Sequence, residues 1–343
     1  MFFVSPSPSG MPRRASALPR LSFVVIALLA ANAHASCGSS FCSVNTHWDT
    51  QGLSSDEGWR VDLRYSYSKA DKWRGAPLAA PSGSDEEIEG KRTINQVLNL
   101  DADYTINARW NIAVGVPLIA RDHSHIFDSS VTGPFQQQAK FTELGDVRVV
   151  GRYKFDMGSM SSGSGIRFGL KLPTGDINKT MTPRDPADPA VPYKLERSSQ
   201  PGTGSTDAIL GAYYYRSVPG ADWGWFVSGQ AQSALTSRDG YRPGKELSAD
   251  LGLHYALSPS LNALLQLNAQ HRSRDSGRNA NAASGGYAWN LSPGLSYALT
   301  AQTQLYGVLQ VAVKQHVNAD PADPESGQLT APGSLVVGIS HRF

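Results

Sequence analysis

The sequence predicts an all-β protein, a transmembrane, antiparallel, up-and-down β-barrel of about twelve strands. Three observations carry this. Twelve segments alternate apolar and polar residues with a period of two, long and short connections take turns between them, and aromatic residues gather at the strand ends that face the short connections. The last segment shows the alternation plainly. Leu335, Val337, Ile339 and Phe343 share one face, while Gly338, Ser340 and Arg342 share the other.

In chain order the predicted strands are 59–68, 93–104, 110–120, 146–155, 165–172 and 207–216, then 223–232, 246–256, 261–271, 287–298, 304–313 and 335–343. In the first, Trp59, Val61, Leu63, Tyr65 and Tyr67 alternate with Arg60, Asp62, Arg64, Ser66 and Ser68. In the third, Trp110, Ile112, Val114, Val116 and Leu118 repeat the apolar face. A strand of about 10 residues extends roughly 33 Å, which when tilted by about 40° covers the ~25 Å apolar band of an outer membrane.

The connections 69–92, 121–145, 173–206, 233–245, 272–286 and 314–334 are long. Those at 105–109, 217–222, 257–260 and 299–303 are tight, with 156–164 the exception. Long loops outside and short turns in the periplasm, with both termini periplasmic, fit an even strand number. Trp59, Tyr104, Trp110, Phe155, Tyr214, Trp225, Tyr255, Tyr297 and Phe343 lie at the ends facing the short turns, where an interfacial girdle belongs.

The amino end reads as an export signal over 1–35. Arg13, Arg14 and Arg20 precede a short apolar run, and Ala33-His34-Ala35 is a small-x-small cleavage site. The expected location is therefore the outer membrane of a Gram-negative bacterium, after cleavage near Ala35. Three of the 31 basic residues and no acid fall in 1–35, leaving 28 against 29 and a net charge near −1. The balance gives no reason to expect nucleic acid as a partner. No later segment offers the run of about 18 apolar residues that a membrane-spanning helix requires. Charged residues make up 17% of the chain, low for a soluble domain near 25%.

Residues 36–57 are expected to form a periplasmic segment before the barrel at 58–343. Cys37 and Cys42 in that segment, in an oxidising compartment, are most simply a disulfide. Closing so short a loop removes only about 2 kcal/mol of chain entropy. A redox or metal site helped by His47 is the alternative, although the spacing is neither C-x-x-C nor C-x-x-C-H.

Other candidate chemistry is thin. Asp185-Pro186-Ala187-Asp188-Pro189 recurs as Asp320-Pro321-Ala322-Asp323-Pro324, which reads as rigid solvated loops, with divalent cation binding or lipopolysaccharide bridging as the other option. His123 and His125 lack a third ligand of clear spacing. There is no G-x-S-x-G, no H-E-x-x-H and no phosphate loop, so neither an enzyme nor a cofactor is expected.

Function is expected in the lumen. The inward positions carry Arg60, Asp62, Arg64, Asp101 and Asp103, then a basic wall of Arg148, Arg152, Lys154, Arg167 and Lys171. Asp207 and Asp250 are also inward, with His254, Asn262, Gln266, Asn268 and Gln270. Charged walls select permeants by sign, whereas paired charges can also plug a narrow barrel.

Leu144-Gly145-Asp146-Val147 with Tyr153-Lys154-Phe155, and Gly169-Leu170-Lys171-Leu172-Pro173-Thr174-Gly175-Asp176, give the chain a family likeness. It resembles the outer-membrane barrels of the MetA-pathway phenol-degradation family, described as transporters, over about residues 58–343. The resemblance implies a monomeric barrel moving small organic or aromatic compounds inward, and it carries over no catalytic residues. Cys37 and Cys42 lie outside it, and His341 stands where many barrel ends have an aromatic.

The expected function is thus a channel or facilitator for small solutes through a charged lumen. The alternative is a surface-binding or structural barrel with a plugged interior. Expected partners are outer-membrane lipids, lipopolysaccharide, a small-molecule solute, and the barrel-assembly machinery acting through Phe343.

Overall fold

The computed structural model describes residues 44–52, 57–75, 92–129, 133–159, 161–184, 186, 189–322 and 327–343. Along the chain run β1 (Gly58–Ala70), β2 (Lys72–Gly75), β3 (Arg92–Thr105), β4 (Trp110–Ser129), β5 (Gly133–Leu144), β6 (Arg148–Lys154), β7 (Ser162–Lys171) and β8 (Asp207–Ser217). They are followed by β9 (Trp223–Ala234), β10 (Glu246–Ala256), β11 (Leu261–Arg272), β12 (Gly286–Ala298), β13 (Thr303–Val317), β14 (Gly327–Thr330) and β15 (Gly333–Arg342). Twelve of these close into an antiparallel barrel, ordered β1, β3, β4, β6, β7, β8, β9, β10, β11, β12, β13, β15. β15 pairs back with β1, from Arg60 opposite Arg342 to Ser68 opposite Ser334. All twelve predicted strands are present.

Closure follows from the solvent. In hydrocarbon an unpaired backbone N–H or C=O costs several kcal/mol, so a sheet there leaves no edge. The Phe343 N–H donates to the Trp59 carbonyl at 2.9 Å, carrying the seam to the last residue.

The alternation sorts the faces as expected. Leu98, Leu100, Ile112, Val114, Leu251 and Leu253 are exposed on the exterior, while Asp103, Asn111, Asn268, Ser292 and Ser296 are buried in the interior. An exposed apolar surface of this extent is untenable in water and ordinary in lipid. Aromatic pairs mark the periplasmic rim, Trp59 on Tyr104 at 4.9 Å, Trp110 on Tyr153 at 4.8 Å and Tyr214 on Trp225 at 5.3 Å between ring centroids. His341 takes part in that rim, with its ring 4.7 Å from Phe343 and Nδ1 2.8 Å from the Thr303 hydroxyl.

Three elements depart from the sequence reading. The connection expected over 121–145 is a hairpin, because β4 continues to Ser129 and returns as β5, paired from Leu118–Leu144 to Ser129–Gly133. Its residues keep the strand period but exchange apolar for polar partners, as in Gln136, Gln138 and Lys140, so the hydrophobic signal fades where the ladder does not. Within two further predicted loops, β2 pairs with β14, each only four residues long and too short for alternation to show. The strand predicted from 146 begins at Arg148 because the Asp146 carboxylate is turned to the Gly175 and Thr203 amides.

Inside, large rings lie flat on glycines of the neighbouring strand. Phe226 is fully buried against Gly252, where a Cβ would sit 2.1 Å from the ring. Tyr306 covers Gly338 in the same way, at 2.4 Å. Gly252→Val is expected to lower stability in detergent by about 1–3 kcal/mol through overpacking. A melt followed by circular dichroism, or the heat-induced shift on a gel, would show it; an unchanged midpoint would contradict this packing.

Candidate functional site: the occluded lumen

The segment 44–52, part of the expected periplasmic stretch 36–57, instead packs inside the barrel. It contains one 3-10 turn, Trp48–Gln51, closed by the Thr50 N–H on the His47 carbonyl at 3.0 Å. Trp48 meets Tyr306 edge to face at 5.0 Å and shares an apolar cluster with Val44, Leu264, Val308 and Val336. Around it the contacts are polar. The Asn45 N–H donates to Gln266 Oε1 at 3.1 Å, and Gln266 Nε2 returns a bond to the Asn45 carbonyl at 2.9 Å. Asn45 Nδ2 donates to the Ser228 hydroxyl at 3.1 Å, Arg64 donates to the Thr46 hydroxyl, and an Arg167 Nη lies 2.9 Å from His47 Nε2. These partners come from β1, β7, β9, β11, β13 and β15, so the turn is held from around the wall.

Every lumen residue singled out in the sequence lies on an inward position, and the structure separates the committed from the free. Arg152 bonds Asp103 and reaches Asn111 Oδ1 with Nε at 2.9 Å, and Arg60 approaches the same Asp103 at 3.8 Å. Arg64 pairs with Asp101 at 3.5 Å. Lys171 is buried between Asp146 and Asp207 at 3.2 and 2.9 Å, and Asp207 also accepts from Ser205 and Gln232. Burying an ammonium requires such compensation. Asp62 accepts from the Tyr306 hydroxyl at 2.8 Å. Asp250 accepts from Ser228 and Asn268, both at 2.8 Å. The basic wall is therefore thinner than its sequence suggests, because Arg152 and Lys171 are neutralised within it. Arg148 has no ion pair or hydrogen bond among the described residues, and Lys154 lies 5.6 Å from the Tyr215 ring centre.

On the extracellular side of the turn the lumen widens into a chamber of about 420 Å³, whose boundary includes Val44, Asn45 and His47. Its outer boundary comes from the connection after β7 and the connection after β9, through Arg197, Gln200, Thr203 and Tyr241. The first connection is anchored where Arg121 donates to the Ser199 carbonyl and where Met181 and Leu195 bury against Ala139. Arg197 stacks on Tyr241 with its guanidinium carbon 5.1 Å from the ring centre. The Tyr241 hydroxyl donates to Asp275 at 2.9 Å. Burial, followed by the opposing effects of Arg272 and Asp275, pushes that phenol above its usual value, so it remains a donor.

Other predicted sites fare differently. Cys37 and Cys42 lie outside the described residues, as do Asp185, Asp188 and Asp323. His47 Nε2 lies 2.9 Å from an Arg167 Nη. His123 and His125 meet edge to face at 5.6 Å, and His123 Nδ1 lies 2.7 Å from the Thr93 hydroxyl. No cluster of three metal-ligating side chains occurs among the described residues. Sequence reasoning missed the turn itself. Its signal was present in Leu264, Val308 and Val336, apolar residues at inward positions where a water-filled lumen has no use for them.

A closed twelve-stranded barrel with lipid outside and a charged lumen into which a turn packs defines the class: an outer-membrane β-barrel of the porin-like kind. Residues 189–321 match the model of the family described as "Putative MetA-pathway of phenol degradation". The protein is an outer-membrane barrel carrying that family's pattern over this stretch, which is shorter than 58–343 and excludes the two motifs that suggested the resemblance. Its fold is similar to an outer-membrane channel from Pseudomonas putida F1, with a TM-score of 0.58 at 16% identity over 84% of this chain and 96% of that one. The toluene transporter of Ralstonia pickettii aligns with a TM-score of 0.46 at 12% identity over 85% and 91% of the two chains. No curated protein matches by sequence.

Truncating Trp48 to Ala removes a fully docked ring worth about 3–5 kcal/mol where packing cannot relax. The expected outcome is hydrogen exchange at the Thr50 amide at least tenfold faster, with barrel strands unchanged. Equal exchange in both proteins would show that Trp48 does not hold the turn.

Proposed function

We propose that the protein is an outer-membrane channel or facilitator for small solutes, which pass through the chamber once the 44–52 turn yields. The carrying observation is the chamber itself, a charged space inside a closed barrel, bordered on its periplasmic side by a turn held without any covalent bond among its described residues. Fold likeness to an outer-membrane channel supports the reading, and the family description supports small organic or aromatic compounds as the solute class. A permanently filled surface-binding or structural barrel would keep the turn, but has no use for the chamber above it. No catalytic role is proposed. The candidate permeation residues are Arg148 and Arg167, with the paired Arg64–Asp101 beside them. We also assign outer-membrane placement to export through the 1–35 signal and to assembly through Phe343, which is the most exposed girdle residue at 75%.

Two outcomes are expected in planar bilayers. Deleting 44–52 should raise single-channel conductance severalfold over the intact protein; no conductance from either would overturn the channel. In the deletion background, Arg148→Ala with Arg167→Ala should move the reversal potential towards cation preference, because removing two of the eight cationic side chains nearly cancels the positive excess over the five anionic ones. An unchanged reversal potential would remove these two side chains from the path.

A further inference from the structure

The turn docks on the apolar patch of β11, β13 and β15, and a second apolar patch remains unused. Val97 of β3, Ala113, Pro117 and Ile119 of β4, and Val150 of β6 all line the chamber on the opposite wall. Inward positions of a wet lumen are ordinarily polar, so a contiguous apolar wall there has a task. No described segment of the chain covers it, since all these residues stay only partly buried.

Beside this wall stands Arg148. It sits opposite Gly115 on one side and Lys171 on the other, two positions before Val150 on the same face. Its side chain is exposed within the chamber. Its cationic neighbours are spoken for. Arg64 pairs with Asp101, Lys171 with Asp146 and Asp207, Arg152 with Asp103, and Arg272 with Asp275. Eight cationic and five anionic side chains line the chamber, so the space carries a positive excess that internal pairing does not remove.

We propose that the chamber binds an amphipathic monocarboxylate, with the carboxylate on the Arg148 guanidinium and the apolar body against Val97, Pro117, Ile119 and Val150. This rests on reading the lumen as a solute path and names the solute class. A guanidinium presents a planar fork that matches a carboxylate in two parallel hydrogen bonds. A single free guanidinium accommodates one negative charge. A dianion would meet the Asp101 carboxylate, which lies so close that a Cβ on Gly115 would sit 2.5 Å from its Oδ1. A cation meets the positive excess, and a neutral alcohol leaves the guanidinium without its charge partner. A volume near 420 Å³ lies within the range of small-ligand sites.

The test uses the full mature protein in lipid nanodiscs and equilibrium dialysis of phenylbutyrate, phenylbutylamine, phenylbutanol and acetate. Phenylbutyrate is expected to saturate one site per barrel and to bind at least tenfold tighter than the other three. Arg148→Gln should weaken phenylbutyrate about tenfold or more while leaving phenylbutanol unchanged. Ile119→Asn should weaken phenylbutyrate severalfold and spare acetate. Equal binding of acid and amine, no saturable binding, or an unaffected Arg148→Gln protein would each overturn the proposal. Conductance of the 44–52 deletion separates the two readings. A conducting deletion that binds no phenylbutyrate sinks the solute class alone. Saturable binding without any conductance leaves a chamber site and sinks the channel.

Discussion

Backbone hydrogen bonding in hydrocarbon is the constraint from which the rest of the structure follows. Water is not there to satisfy a strand edge, so the sheet has to close, and β15 meeting β1 over nine register pairs does this. Once closed, the period of two leaves no freedom at the wall: each outward residue meets lipid and each inward one meets the lumen. Leu251 and Leu253 outside, with Asp250 and Gly252 inside, are one strand obeying both solvents at once. The girdle of Trp59, Tyr104, Trp110 and Tyr153 then sets the depth of the barrel, since rings with polar edges prefer the interface.

The interior answers a different requirement. Charged groups drawn into a narrow lumen lose hydration and must be compensated by neighbours. Asp103 with Arg152, and Lys171 between Asp146 and Asp207, are such compensated groups, and their role is to hold the wall and its loops in place. Asp146 shows this economy, since it also caps the amides of Gly175 and Thr203 that fold the connection after β7 over the chamber. The turn at 44–52 fits the same scheme. Its one large apolar contact gives it position, and its hydrogen bonds to Gln266 and Ser228 satisfy the backbone that enters a low-dielectric space. Such a device can hold the lumen shut and still exchange its partners for water, because most of its contacts are ones that water can replace.

Much of this was legible beforehand, for a physical reason that particular strands illustrate. β1 and β4 read clearly because hydrocarbon enforces apolar residues at every second position. β5 did not, since it stands above the membrane, where only the ladder persists and either face tolerates Gln or Lys. The sequence period gives the inward positions of the charged residues, yet which of them are paired was beyond its reach. Arg148 and Arg152 occupy equivalent positions on one strand, and only the proximity of Asp103 and Asn111 makes the second a structural residue.

The amino-acid sequence by itself determined the twelve barrel strands and the face that each of their residues takes. These depend on local period and on the solvent, both of which act residue by residue. The tertiary structure alone decided that 44–52 enters the lumen, that Val97 and Ile119 form an uncovered wall, and that Arg148 faces open space. Those facts depend on which strands end up across the barrel from one another, and that distance is set by closure.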